Sequence, residues 1–383
     1  MNYAIGVSVH ADRAHREHGR YENRAAFAGD RLSRPIRVEG LVTPPLTQRS
    51  EHTLGWARDL VDPALRKAVE RLPVPMAKAV GYQFGWVDKQ GRPVSGSTGK
   101  GLRQALVLLS AEAVGGRAES AVHAAAAVEL VHNFSLAHDD IIDEDETRRH
   151  RPTAWAAFGV PAATLAGDAM LALAFDALVS VASPRTLPVA RMLAGALLAL
   201  VRGQSDDVEF ESRLRVGQEE YVRMAAGKTA ALFSSACAMG ATLGGAPAGV
   251  VGHLRQFGHH LGLAFQLIDD FLGIWGDPAV TGKPARSDLR SRKKTFPVIL
   301  ALDSASAEGR AFAALYRRAE PLNEEHLETA AALIEQAGAR DRTQAEARRH
   351  LDQALEYLHA ADPAPGPAGE LTALANLVTA REH

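Results

Sequence analysis

The chain has 383 residues, enough to bury one large hydrophobic core or two modest ones. Its formal net charge of -2 gives no reason to expect a nucleic acid or an anionic membrane as partner. The single cysteine, Cys237, excludes an intramolecular disulfide and is consistent with a reducing cytoplasm.

Residues 1–52 differ in composition from the rest of the chain. They carry scattered arginine, histidine and glycine, no lysine, and Pro44-Pro45 near their end. Such a segment buries too little apolar surface to offset its chain entropy. We therefore expect a disordered N-terminal arm over 1–52, a candidate docking tail for an unknown partner, and one large domain over 53–383.

The sequence carries no signal for export or membrane insertion. It does not open on a charged segment followed by an apolar one. The longest apolar runs, such as 189–201, are too short and alanine-rich for a spanning helix, which needs about 20 apolar residues. We expect a soluble cytoplasmic protein without a transmembrane segment.

From Leu54 onward, apolar residues recur at the helical period. The glycine- and serine-rich segment 81–101 then predicts a loop. This loop delivers Lys100 and Arg103 to the start of a helix that runs to about Val114, where two cations can hold a phosphate. Taken alone this is weak evidence, because basic residues at helix ends are common.

An acidic patch ends the next predicted helix, in the stretch 132–153. At about 100° per residue, Asp139 and Asp143 stack on one helix face, with His132 and Ser135 beneath them. The carboxylates repel each other unless a cation lies between them, and an oxygen-only ligand set suits Mg²⁺. On this stretch alone, a solvated acidic helix end is an equally good interpretation.

Two polar groups follow in otherwise apolar, alanine-rich helices. Gln204 and Asp207 share one helix face, although an ordinary surface stripe explains them equally well. Lys228 and Thr229 lie in the middle of an apolar helical pattern. A lysine in that position costs free energy unless it is paired, and a bound diphosphate is the obvious partner.

The acidic helix end recurs far downstream, in the stretch 262–297. A second apolar run ends in Asp269-Asp270, with Gln266 one turn below Asp270, and a basic loop follows with Lys283, Lys293 and Lys294. Two acidic helix ends facing each other across a cavity could hold metal ions that clamp a diphosphate, with lysine and arginine taking its remaining oxygens. Chance is a much poorer explanation for two such motifs than for one.

No stretch alternates at period two for long enough to predict a strand, so the predicted fold class is all-α. The many alanines would let helices approach closely around a central cavity.

With these motifs in this order, the chain resembles the trans-type polyprenyl (isoprenyl) diphosphate synthases, and most of all the actinobacterial geranylgeranyl diphosphate synthases, from about Leu54 onward. The resemblance implies an isoprenoid-synthase helical bundle around a central active-site cavity, usually a homodimer. It implies Mg²⁺-dependent head-to-tail transfer. An allylic diphosphate ionises, the alkene of isopentenyl diphosphate attacks the cation, and the departing diphosphate takes the proton.

The resemblance also assigns roles, position by position. Three Mg²⁺ ions are expected, held by Asp139, Asp143 and Asp269, with Asp140 and Asp270 supporting. The predicted contacts of the allylic diphosphate are Arg148, Lys228, Lys283 and Lys293. The predicted contacts of isopentenyl diphosphate are Lys100, Arg103, His132 and Arg149. The oxygens that can turn toward the developing cation belong to Thr229 and Gln266. A buried, hydrogen-bonded histidine is an alternative interpretation of His132.

Several positions depart from the family pattern. Gly101 and Gln104 stand where arginine and proline are usual, so one cation fewer would face isopentenyl diphosphate. Gly273 replaces a third aspartate of the second motif, which is a supporting group. Three residues stand where glycine is usual and put loop conformation and rate in question more than reaction class: His150, Arg286 and Arg292.

Product length depends on the residues beneath Asp139. Ser135 is small, Phe134 is one residue deeper and large, and no two-residue insertion separates Asp139 from Asp143. In the family this combination resembles the enzymes that make C20 products. We expect geranylgeranyl diphosphate, with farnesyl diphosphate as the next alternative.

Two alternatives of other kinds remain open. A class I terpene cyclase shares the bundle and the first aspartate motif, but Asp269-Asp270 and the retained Lys100, Arg103 and His132 argue against it. A non-catalytic regulatory subunit is supported only by the departures at Gly101, His150 and Arg286.

Overall fold

The computed structural model describes residues 46–94, 99, 101–148, 150–278 and 284–379. Its helices are α1 (Leu46–Val69), α2 (Val74–Gln83), α3 (Leu102–Ala113), α4 (Val122–Ile142), α5 (Ala154–Phe158), α6 (Val160–Val179), α7 (Thr186–Ser212), α8 (Gln218–Ala225), α9 (Ala231–Gly244), α10 (Ala248–Trp275), α11 (Ser287–Arg290), α12 (Phe296–Leu302), α13 (Ala307–Tyr316), α14 (Glu324–Gln336), α15 (Ala339–Ala360) and α16 (Pro365–Thr379).

Smaller elements complete the bundle. A short 3₁₀ helix (Ala118–Ala121) precedes α4, and a π-helical turn (Ala226–Ala230) joins α8 to α9. After α4, the strands β1 (Thr147–Arg148) and β2 (Arg151–Pro152) pair as an antiparallel hairpin. In the described part of the chain, the only other extended pairing is an isolated bridge between Val87 and Pro93. The prediction of an all-α fold is confirmed.

The centre of the bundle is built from α3, α4, α9 and α10. Helix α9 packs against α3 and α10, α4 packs against α6, and α10 packs against α15. Large side chains such as Leu130, Phe233 and Phe257 are fully buried here, among small ones such as Ala105 and Ala125. Because small residues let helix axes approach closely, the core is dense and holds the C-terminal ends of α4 and α10 in fixed positions.

Helix α1 begins at Leu46, earlier than the predicted start of the domain at residue 53. Its first turns are anchored to the C-terminal helix. Arg49 Nε donates to Glu370 Oε1 at 2.7 Å, and Thr53 Oγ1 donates to Glu370 Oε2 at 2.5 Å. Residues 46–52 are therefore helical, whereas the rest of the predicted arm, 1–45, lies outside the described residues.

Two helices, α6 and α7, are long and apolar enough to cross a membrane by length and composition alone. The sequence predicts no membrane-spanning segment. Both helices pack into the bundle on one side only, so 44% of the apolar window of α6 and 28% of that of α7 are buried. The outer surface exposes apolar side chains, among them Leu165, Val179, Leu187 and Leu198. This single chain thus leaves a large apolar surface uncovered.

A histidine pair joins α10 to α15 away from the acidic motifs. The Nδ1 atoms of His260 and His350 lie 3.0 Å apart, so one nitrogen donates and the other accepts. His260 also stacks on Tyr357, at 5.5 Å between ring centroids. Burial, with further contributions from Arg349 and neighbouring histidines, lowers the pKa of both rings to about 4.

This pair should make folding stability fall as the pH drops from about 6.5 to 4. The folded pKa values lie below that of an exposed histidine, so in this range the unfolded chain binds more protons than the folded one. His350→Gln should reduce the slope of unfolding free energy against pH, by at most ~1.4 kcal/mol per pH unit for each proton removed from the linkage.

Urea titrations at several pH values measure that slope. Because Asp140 and Asp270 also titrate in this pH range, the slope of each variant is compared with that of the wild type. The matched control is His359→Gln, an exposed position on the same helix, α15. An unchanged slope in His350→Gln, or an equal change in the control, would contradict the assignment.

Candidate active site

The first acidic motif forms the C-terminal end of α4. Asp139 lies in the last turn and Asp143 is the C-cap, and their side chains are 20% and 8% exposed. Each carboxylate is met by a lysine from another part of the chain. Lys228 Nζ lies 3.2 Å from Asp139 Oδ1, and Lys293 Nζ lies 2.5 Å from Asp143 Oδ2. The repulsion between the stacked carboxylates is thus offset by two cations.

The contact between Lys293 and Asp143, which are 150 residues apart in the sequence, joins the two acidic stretches. The sequence predicts two acidic helix ends facing each other across a cavity. The structure brings the regions together, but lysine side chains reach into the space beside the first motif. Because lysine has a flexible four-carbon chain, these ammonium groups can turn from carboxylate to phosphate oxygens.

Lys228 lies on the π-helical turn between α8 and α9, where it contacts two carboxylates. Besides Asp139, its Nζ donates to Asp207 Oδ2 of α7 at 2.5 Å. Burial alone would lower the pKa of Lys228, but Asp139 and Asp207 raise it above its ordinary value. Gly203 makes this turn possible, since a Cβ there would collide with the backbone nitrogen of Lys228. The predicted need for a partner is therefore met by carboxylates of the protein.

Three cationic side chains act on Asp139. Burial alone would raise its pKa, but Lys228, Lys293 and Arg148 hold the pKa below its ordinary value. The carboxylate therefore stays ionised at neutral pH, as a metal ligand must be.

Asp140, the next residue, is buried beside the first motif. It is 1% exposed and accepts from Arg148 Nε at 2.6 Å. Burial, outweighing the effect of Arg148, raises the pKa of Asp140 to about 6. Arg148 lies on β1 with Nη2 3.9 Å from Asp139 Oδ2, so Asp140 fixes this guanidinium beside the first motif.

The second acidic motif, in the last turns of α10, contains one exposed and one buried aspartate. Asp269 is exposed, whereas Asp270 is 4% exposed. Asp270 accepts from Tyr221 Oη at 2.5 Å, from Gln266 Nε2 at 2.8 Å and from the backbone nitrogen of Phe296 at 2.8 Å. Burial raises the pKa of Asp270 to about 7. Asp270 is therefore a structural anchor, and Asp269 is the group available to a ligand.

Tyr221 is a residue that sequence analysis missed. It is 1% exposed in the middle of α8, and its hydroxyl connects that helix to α10 through Asp270. A tyrosine in an amphipathic helix carries no mark that distinguishes it from any core aromatic residue. The predicted pair Thr229 and Gln266 does meet, with Thr229 Oγ1 donating to Gln266 Oε1 at 2.5 Å.

The carboxylates of the two acidic motifs suit the way in which enzymes acting on phosphates usually bind Mg²⁺. No group of three or more Cys, His, Asp or Glu side chains within the described ranges converges on one point. Mg²⁺ commonly takes only one or two protein carboxylates and completes its octahedron with water and substrate phosphate. Asp139 and Asp143 on one side and the exposed Asp269 on the other supply such ligands.

The predicted isopentenyl diphosphate contacts are described only in part. Arg103 Nη1 lies 3.3 Å from His132 Nε2, and its guanidinium lies over the ring of Phe233 at 4.5 Å. The structure thus brings Arg103 and His132 together. The other two predicted contacts of isopentenyl diphosphate, Lys100 and Arg149, lie outside the described residues. Lys283, a predicted contact of the allylic diphosphate, also lies outside them.

The predicted chain-length residues point in different directions from α4. Phe134 is 8% exposed and packs edge-on against His138 at 4.7 Å, while His138 fills the space above Gly167 of α6. Ser135 is half-buried, and its hydroxyl donates to the carbonyl of His132 at 2.8 Å. The large Phe134 side chain of α4 is therefore directed toward α6.

The departures from glycine have a common backbone consequence. His150, Arg286 and Arg292 have φ of 60°, 58° and 55°, in the left-handed region that favours glycine. Arg286→Gly should therefore raise the unfolding free energy by about 1 kcal/mol. Arg290→Gly, four residues on in the right-handed turns of α11, should lower it by about 1 kcal/mol. Equal effects of the two variants in urea titrations would contradict the strain at Arg286.

The departure at Gly273 also has a structural correlate. A Cβ at this position would stand 2.5 Å from Cγ of Asp288, which arrives from α11. Asp288 adds to the negative charge acting on Asp270. The carboxylate of Asp288, which belongs to α11, therefore lies beside residue 273, the position that is usually aspartate in the family.

Comparison with known proteins agrees with this geometry. The family model described as "Polyprenyl synthetase" matches residues 85–334. A (2E,6E)-farnesyl diphosphate synthase of Mycobacterium tuberculosis is 46% identical over 340 residues, covering 88% of this chain and 95% of the relative. A geranylgeranyl diphosphate synthase of the same organism is 42% identical over 327 residues, covering 85% and 92%.

A solved structure shows the same fold. The crystal structure of a polyprenyl synthetase from Streptomyces coelicolor superposes with a TM-score of 0.81 at 45% identity, covering 85% of this chain and 98% of that one.

Proposed function

Because this chain belongs to the polyprenyl synthetase family and is a trans-prenyl diphosphate synthase, we propose that it condenses isopentenyl diphosphate with an allylic diphosphate to make geranylgeranyl diphosphate. The observation that carries the proposal is the pairing of Lys228 and Lys293 with the first acidic motif. Lys293 belongs to the segment that accompanies the second motif, so one diphosphate can be reached from both motifs.

Ionisation of the allylic substrate requires charge stabilisation on the leaving diphosphate, usually the largest contribution to such catalysis. The family is Mg²⁺-dependent, and bound Mg²⁺ supplies positive charge to the phosphate oxygens. Three ions would be held by Asp139, Asp143 and Asp269, with Asp140 and Asp270 supporting them.

The cationic side chains then act on the substrates. Lys228, Lys293 and Arg148 turn from their carboxylate partners to the allylic diphosphate, joined by Lys283. Arg103 and His132 hold isopentenyl diphosphate with Lys100 and Arg149. Thr229 and Gln266 offer oxygens to the allylic cation, and the departing diphosphate accepts the proton lost from the new chain.

The C20 product is supported by Ser135, which leaves room beneath Asp139, and by Phe134, which is packed toward α6. Farnesyl diphosphate is the second candidate, favoured by the 46% identity to farnesyl diphosphate synthases. Incubation with Mg²⁺, isopentenyl diphosphate and farnesyl diphosphate should give a C20 diphosphate by mass spectrometry. Formation of C15 from geranyl diphosphate with no further elongation would assign the shorter product.

Phe134→Ala should shift the product toward longer chains, because it removes a bulky ring from the wall beneath the first aspartate. The matched control is Phe175→Ala, a partly buried aromatic residue near the far end of α6. Mass spectrometry of the products would contradict the role of Phe134 if both variants kept the wild-type chain length.

Consumption of isopentenyl diphosphate also separates this function from a terpene cyclase, which uses a single allylic substrate. A non-catalytic subunit would show no turnover alone.

We further propose a cytoplasmic homodimer in which α6 and α7 cover each other's exposed apolar side chains, such as Leu187 and Leu198. The arm over 1–45 stays a candidate docking tail for an unknown partner.

A further inference from the structure

The loop that enters α3 is covered by an arginine from α1. Gly101, the residue before α3, has φ of 70° and carries no side chain. A Cβ built there would stand 2.9 Å from Cγ and 3.5 Å from Cδ of Arg58. The stem of the Arg58 side chain thus occupies the space in which a side chain of residue 101 would begin.

The guanidinium of Arg58 is directed along the same loop. Its Nη1 donates to the carbonyl of Gly99 at 3.3 Å, so the cation lies beside the backbone just before α3. Arg58 itself is half-buried on α1, which packs directly against α3. The position of this charge is therefore set by helix packing as well as by its own hydrogen bond.

We infer that Arg58 supplies a cation to the diphosphate of isopentenyl diphosphate, in the place left by Gly101. Arg103, the second residue of α3, contacts His132 and the ring of Phe233. A diphosphate bound by Arg103 would meet the Arg58 guanidinium at the loop, where its planar fork can take two phosphate oxygens. This inference rests on the proposed function, because it assigns a further contact to the same substrate.

Arg58→Ala should raise the KM for isopentenyl diphosphate by about 10- to 100-fold, the range expected for one charge-assisted phosphate contact. The KM for the allylic substrate and kcat should change little. A purely structural role of Arg58 as a strut between α1 and the loop would instead change kcat, both KM values and thermal stability together.

Two further variants make the test specific. Arg66→Ala removes an arginine two turns along α1 that pairs with Asp62 and lies over the ring of Trp86, and it should leave both KM values unchanged. Gly101→Arg placed in the Arg58→Ala background should recover part of the lost affinity, because it returns a cation to the loop once Arg58 no longer blocks the site.

The measurements are steady-state kinetics for each substrate and calorimetric titration with isopentenyl diphosphate. A selective increase in that substrate's KM, reversed in part by Gly101→Arg, supports the inference. An unchanged KM in Arg58→Ala, or equal increases for both substrates, would overturn it. A wild-type protein that consumes no isopentenyl diphosphate would overturn the proposed function instead, so the two failures are distinguishable.

Discussion

Asp139→Ala should lower kcat for prenyl transfer by ~10³-fold or more, since single groups that stabilise developing charge contribute about 10²- to 10³-fold and Asp139 also serves as a predicted metal ligand. Its carboxylate lies among Lys228, Lys293 and Arg148, which keep it ionised. Removing it takes away one ligand position and leaves Lys228 with Asp207 alone. Turnover is measured as incorporation of isopentenyl diphosphate at saturating Mg²⁺.

The matched control is Glu209→Ala, which removes a carboxylate of α7 that is 65% exposed and 3.8 Å from Arg213. It should leave turnover within about twofold of the wild type, because exposed ion pairs contribute little. Loss of activity in both variants, with equal loss of thermal stability, would point to unfolding and would count against a role of Asp139 in the chemistry.

Lys228→Met should impair both stability and turnover. Without the ammonium, Asp139 and Asp207 are left facing each other with side chains only 20% and 22% exposed. Removing one partner of a buried ion pair costs about 3–5 kcal/mol, and we expect the lower end here because water still reaches the pair. Turnover should fall by ~10²-fold or more, since Lys228 is proposed to stabilise the leaving diphosphate.

A second substitution separates the two effects. Asp207→Asn in the Lys228→Met background removes the stranded negative charge, so it should restore part of the unfolding free energy without restoring turnover. The control is Lys294→Met, which removes the half-buried cation that follows Lys293 and lies over the ring of Tyr316. This variant should keep most of the activity. Full recovery of turnover in the double variant would contradict a direct contact between Lys228 and substrate.

Much of the fold follows from local patterns. Asp139 and Asp143 are brought to one face by the helical period, and the absence of period-two alternation excludes a large sheet. Both are properties of neighbouring residues, and the structure reproduces them. The start of α1 was placed too late because its first turns are anchored by Glu370, a contact across more than 300 residues that no local pattern contains.

The candidate site depends more strongly on distant contacts. Asp269 and Asp270 are adjacent and chemically identical, yet only Asp270 is buried, because Tyr221 and the backbone of Phe296 meet it there. Arg58 approaching Gly101 and Asp288 approaching Gly273 belong to the same class of contact. At Gly101 and at Gly273, a motif side chain that is missing is accompanied by a side chain from another element.

The uncovered apolar surface on α6 and α7 was also beyond local patterns. The sequence of α7 resembles that of an ordinary core helix until its packing partners are known. Only the assembled bundle shows that one face packs inward and the other does not.

The proposed mechanism depends most on one feature, the sharing of metal ions by the two acidic helix ends around one diphosphate. Crystals grown with Mn²⁺ in place of Mg²⁺ and with inorganic pyrophosphate would test it by anomalous scattering. We predict metal peaks bound to Asp139 and Asp143 on one side and to Asp269 on the other, with Lys228 and Lys293 moved onto the pyrophosphate. Metal peaks at one motif alone, or pyrophosphate bound away from both motifs, would contradict it.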